Sequence, residues 1–109
     1  MQLTLYIDDA EQTIEITGDI LEDAEDFFNK MDRDMDQGWQ MSRSWVERPN
    51  LVQRAQIAAN KILDAINAEN ETLMMLMAGY ILARLPHVSA VRIDTTGDMT
   101  ATELLTNES

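Results

Sequence analysis

Leu3, Leu5 and Ile7 alternate with Thr4 and Tyr6, and Ile14 and Ile16 alternate with Thr13 and Glu15. A two-residue period places one side of a half-buried strand against a core. Asp8-Asp9-Ala10-Glu11 separates the two runs, which predicts a β-hairpin with a loop of about four residues. A lone hairpin is marginal in water, so its apolar side must rest on helices.

Thr17-Gly18-Asp19 stops the second strand, and Asp19 with Glu22 fits a capping box that opens a helix. Leu21, Ala24, Phe28, Met31, Met35, Trp39, Ser42 and Val46 then recur three or four residues apart. That spacing predicts one long helix, loosened at Gly38, with Glu22, Glu25, Asp26, Lys30, Arg33 and Asp36 mainly on its wet side. Arg48-Pro49-Asn50 is the clearest boundary, because a residue before proline leaves helical geometry and Pro49 suits the first turn of the next helix. The two helices should fold back on each other, with Trp39 and Trp45 over Leu51, Ile57 and Ile62.

From Asn50 to Leu85 the apolar stripe continues through Ala55, Ala58, Ile62, Leu73, Leu76 and Tyr80. Unbroken, this stretch would be a rod of about 54 Å, long for a chain of this size, and the weak helix formers Asn67 and Asn70 favour a break or kink between them. Val88 to Asp94 is β-branched and reads as a third strand. It runs with the first strand if the second helix is unbroken, and against it if a break folds the chain back. The pattern thus predicts an α+β domain over residues 1–94, with a hairpin, two long helices, a C-terminal third strand, and a small sheet packed on a helical layer. Residues 95–109 read as a polar, flexible tail, in which Thr100 and Glu103 can cap a short turn around Leu104 and Leu105.

Composition narrows the chemistry. With 45% hydrophobic residues the chain has material for one core and is no acidic disordered segment. With no cysteine, disulfides, thiolate metal sites and cysteine nucleophiles are excluded. The N-terminus lacks a basic leader, and the richest apolar run, Leu73 to Leu85, is too short for a bilayer, so a cytoplasmic protein is expected. The net charge of −12 is uneven: residues 1–36 hold twelve acids against Lys30 and Arg33, or −10. Such a field argues against nucleic acid and membrane as partners and would steer basic ones to the first third.

Asp32, Asp34 and Asp36 before Gly38 approach a calcium-loop pattern but miss its register, with Gln37 where glycine is needed and Arg43 where the closing glutamate belongs. His87 is the only imidazole and follows Pro86 at a helix end, which suits a structural contact. No nucleophile turn or phosphate loop is present, and neither a catalytic residue, a metal nor a cofactor is expected. The one short stretch that could form a polar site is Arg92, Asp94 and Asp98, an acid at a strand end before a Thr-Gly turn.

Met74, Met75, Met77, Leu73, Leu76, Ile81 and Leu82 encircle their helix, more apolar surface than one small chain readily buries. The functional expectation is therefore a non-catalytic accessory protein, homo-oligomeric, that binds a basic or apolar protein partner. Its contact residues would be Trp39, Trp45, Met74, Met77, Tyr80 and Ile81. The rival readings are a DNA mimic that occupies a nucleic-acid-binding protein, and a small ligand-binding protein or enzyme with its site near Asp94 to Asp98.

Overall fold

The computed structural model of the chain describes residues 1–106. The alternating N-terminal runs form β1 (Gln2–Ile7) and β2 (Ala10–Glu15), an antiparallel pair with Leu3 opposite Ile14 and Thr4 opposite Thr13. The turn is tighter than the four residues expected, for Ile7 pairs with Ala10 and only Asp8 and Asp9 lie outside the ladder. Asp8 makes this turn in the left-handed region, at φ 54°, which a short polar side chain tolerates.

The single helix expected after Thr17 is two helices and a hairpin. α1 (Gly18–Asp23) and α2 (Glu25–Asp36) meet at Ala24, and Thr17 rather than Asp19 caps α1 by accepting from the Ile20 amide. Gly38 ends α2 instead of loosening it: its φ is 105° and its amide donates to the Met35 carbonyl at 3.0 Å. β3 (Trp39–Met41) and β4 (Ser44–Val46) follow as a separate two-stranded sheet. Trp39, Ser42 and Val46 fit a helical stripe only by spacing; the left-handed turns at Gly38 and at Ser42, φ 57°, put them on a hairpin.

Asn50 caps α3 (Leu51–Asn67) in a reciprocal bond with Gln53, so Pro49 stands before the cap, outside the first turn. The long apolar run breaks where its asparagines stand. Glu69 turns left-handed at φ 56°, and Asn70 caps α4 (Glu71–Arg84) by accepting from the Leu73 amide. The two helices pack against each other in a molecule of 33 × 33 × 32 Å.

β5 (Val88–Ile93) joins β1 in parallel, with Leu5 level with Val91 and Ile7 with Ile93. Counting helices gives this sense only for an unbroken second helix, so with α3 and α4 separate the antiparallel sense expected for a broken helix is corrected by the ladder. The segment from residue 95, expected as a loose tail, carries a 3-10 turn (Met99–Ala101) and a fourth strand, β6 (Glu103–Thr106), antiparallel to β5. What draws it in is the buried Thr102, whose hydroxyl accepts from the Asp94 amide, and Leu104, which packs on the core. Residues 107–109, the end of that expected tail, lie outside the described residues.

The result is the α+β arrangement that the pattern predicts, a mixed sheet in the order β2-β1-β5-β6 on a helical layer. Leu3, Leu5, Ile16 and Val91 turn inward to meet Ile57, Ile62, Tyr80 and Ile81 in one core. On the other face of the sheet Thr4 and Thr13 share a hydroxyl bond at 3.1 Å, and the Arg92 guanidinium sits 5.9 Å from the Tyr6 ring. Among the described residues no helix is long and apolar enough to cross a membrane.

Gly38 is the position whose backbone this layout depends on most directly, because the Trp45 indole lies where a Cβ would stand. Gly38→Ala should lower stability to urea by about 1–2 kcal/mol, combining left-handed strain with displacement of the ring. Adding Trp45→Ala to that variant should recover only the part due to the ring.

Candidate functional site

Asp32 lies on the side of α2 that carries Phe28 one turn earlier, and it is met there by donors from two other helices. Its Oδ1 accepts from the Tyr80 hydroxyl and, at 3.2 Å, from Arg54; its Oδ2 accepts from Arg84 Nε at 2.9 Å. Arg54 continues to Asp36, and Arg84 to Asn29 and Glu25. One carboxylate therefore ties α2 to α3 through a guanidinium, and to α4 through a guanidinium and a phenol. Beneath it the Phe28 and Tyr80 rings meet edge to face, centroids 5.8 Å apart, with Arg84 over both.

Burial alone would raise the Asp32 carboxyl, but hydrogen bonds from Tyr80, Arg84 and Arg54 outweigh it and hold the group below the usual carboxylate range. Burial and the bond to Asp32 push the Tyr80 phenol well above its ordinary value. The acids that approached a calcium-loop pattern are thus committed to cations: Asp32 and Asp36 to Arg54, and Asp34 to Lys30 at 3.1 Å. They form no bare acidic stripe along α2.

The six residues expected at an interface are dispersed. Met77, Tyr80 and Ile81 are at most 1% exposed and belong to the core, where α3 packs along α4 and Phe28 of α2 meets the Tyr80 ring. Tyr80 and Ile81 are not available to a second molecule, and Met77 reaches only the floor of a pocket beside Leu73. Met74 is half-buried beside Ile66 and Asn70. The two tryptophans do not share a surface, since Trp39 pairs with Val46 and Trp45 with Gln40, on opposite faces of the hairpin. Trp45 is 59% exposed, whereas Trp39 is half-buried under Lys61.

A channel made of two pockets that share Phe27 runs between α1–α2 and the first half of α4. Phe27, 38% exposed, stands in it as a saddle. On one side the lining is Ile20, Asp23, Ala24, Thr72, Met75 and Leu76; on the other, Met31, Met35, Leu73 and Met77 lead to Trp39, with Lys30, Asp34 and Lys61 also in the wall. Leu73, Met75 and Leu76 are half-buried, in contrast to the sealed stretch from Met77 to Leu82. No family model, curated protein or solved structure matches the chain.

Arg92 and Asp94 share the lining of an open pocket with Asp8 and Glu103, whereas Asp98 lines another with Ser42. Arg92 is drawn to Tyr6 on the open face of the sheet. Asp94 accepts from the amides of Asp98 and Thr96 and from the Thr96 hydroxyl, while Asp98 caps the 3-10 turn through Thr100. Both carboxyls are lowered, Asp94 first by the Asp98 amide and Asp98 first by the Thr100 hydroxyl. Asp8, from the β1–β2 turn, is bonded to Thr95 at 2.9 Å and joins this loop to the hairpin.

The Asp32 cluster escaped the reading of the sequence, although a signal existed. Asp32 follows Phe28 by four residues and Arg84 follows Tyr80 by four, so opposite charges stand one turn from aromatics that belong to the core. Asp32→Ala should cost about 2–3 kcal/mol in urea unfolding, because two guanidinium groups lose their shared acceptor. A carboxyl titrating lower in the folded chain contributes its full stability above its unfolded value of about 4, and loses it as pH falls through the folded value. The wild type should therefore weaken below about pH 4, and Asp32→Asn, which has already lost that contribution, should show a shallower acid limb. Tyr80 acts in the opposite sense, with stability lost as pH rises above about 10, and Tyr80→Phe should flatten that alkaline limb.

Proposed function

We propose that this chain is a non-catalytic protein-binding module whose channel between α1–α2 and α4 holds an amphipathic, basic-flanked helix of a partner protein. The observation that carries the reading is the largely apolar half of the channel lined by Ile20, Ala24, Phe27, Met75 and Leu76, with Asp23 in its lining and the exposed Glu22 and Asp26 next to these residues in the chain. None of these three acids is in an ion pair among the described residues. Methionine and leucine side chains on α4 suit a partner that varies in shape. A basic helix would place its apolar stripe over Phe27 and its lysines or arginines against the acidic rim, as helix-in-groove recognition does.

The net charge of −12 favours a basic foreign partner over a second copy, because two such chains repel one another as they approach. A binding role agrees with how the acids are used, since Asp32, Asp94 and Asp98 are each held in structural bonds.

A helical peptide of leucine and lysine should bind and weaken as salt is added, and Phe27→Ser should reduce its affinity by about tenfold or more. A leucine–glutamate peptide with the same apolar stripe should not bind. Binding unaffected by Phe27→Ser would overturn the reading, because it would place the peptide elsewhere on an acidic surface. So would sedimentation showing a dimer that Phe27→Ser dissociates, which would give the channel to a second copy.

A further inference from the structure

The far end of the channel differs in charge and in shape from the rest. Below Trp39 lies a partly enclosed cavity of about 180 Å³, floored by Met35 and Met77 and walled by Phe27 and Leu73. The three ionised groups in its lining are Lys30, Asp34 and Lys61. Lys30 and Asp34 neutralise each other at 3.1 Å. Lys61 has no carboxylate partner among the ion pairs of the described residues, and its Nζ is 5.0 Å from the centroid of the Trp39 ring. In a chain of −12, this is a cavity whose own wall carries one net positive charge.

We infer that this cavity binds a small aromatic monocarboxylate, its ring among Phe27, Met35, Leu73 and Met77 and its carboxylate on Lys61. The volume sets the size, because a buried apolar cavity of about 150 Å³ accepts one benzene ring. Thioether and aromatic walls suit a ring, since sulfur and ring edges attract. The single uncompensated ammonium sets the charge. A monoanion restores neutrality, a neutral ring leaves Lys61 in its present state, and a cation would be repelled. Lys61 reaches the site from α3 and Phe27 from α2, so the ligand would bridge helices that the Asp32 cluster already holds in register. The inference stands apart from the protein partner, because it rests on Lys61 and the cavity floor and not on the acidic rim.

The test uses Trp45→Phe, which removes the exposed indole on the other face of the hairpin and leaves Trp39 as the sole reporter. Phenylacetate should change Trp39 fluorescence saturably with a dissociation constant on the order of 1 mM, the range open to a ligand of this size. 2-Phenylethanol should bind about tenfold more weakly, and phenylethylammonium more weakly still. Lys61→Met should abolish the preference for acid over alcohol, and Lys61→Arg should keep it. The inference falls if phenylacetate gives no saturable change, if acid and alcohol bind equally to the chain with Lys61 intact, or if Lys61→Met leaves the preference in place. Because the peptide experiment reads Phe27→Ser with a basic helix, either proposal can fail while the other holds.

Discussion

A half-buried carboxylate in mid-helix stays charged only if its bonds are complete, and Asp32 meets that condition with donors from α3 and α4. The same geometry limits what α2 can do. A shift of α2 along its axis would take Asp32 away from Arg54, Arg84 and Tyr80 together, leaving two guanidinium groups short of their acceptor. Just below, the Phe28 ring sits so near Gly79 that a side chain there would be in tight contact with it, 3.2 Å from Cβ to ring. α2 is therefore held close to α4 at Phe28 and Asp32, and the neighbouring channel at Phe27 persists because the helix cannot roll over to fill it.

Much of this was legible from residue spacing. The hairpin, the break at Asn67 to Asn70, the strand after His87 and the covered sheet all follow from two periods and a few caps. The misreadings share one physical cause, the dependence of short elements on contacts made far away in sequence. Trp39 to Val46 fits a helical stripe or a strand equally well, and the left-handed turns at Gly38 and Ser42 are what decide. β6 has too little apolar sequence to announce itself, and it forms because β5 offers an open edge and Thr102 a buried bond to Asp94.

The candidate site shows a similar division. The surplus of apolar surface on α4 was readable as composition, but which of its residues stay uncovered depends on how α1, α2 and α3 share that helix. Burial stopped at Met77, so the open surface is Leu73 to Leu76, one turn earlier than Tyr80 and Ile81 suggested. The charges of the channel are likewise sorted by fold. Acids of α1 and α2 gather at one end, while Lys61 arrives at the other only because α3 packs beside α4. Phe27 walls both halves, so a rotation of that one ring reshapes both.

The parallel pairing of β1 with β5 has a further consequence, in the order in which the molecule can be assembled. β1 is an inner strand of the sheet, yet its second neighbour is separated from it by more than eighty residues of chain. During synthesis residues 1–16 emerge before β5, and the backbone of Thr4 to Ile7 stays unpaired along one edge until Val88 to Ile93 have followed. Acidic residues at Asp8, Asp9, Glu11 and Glu15 surround that waiting hairpin. Mutual repulsion between nascent copies is then a safeguard against edge-to-edge association before folding closes the gap.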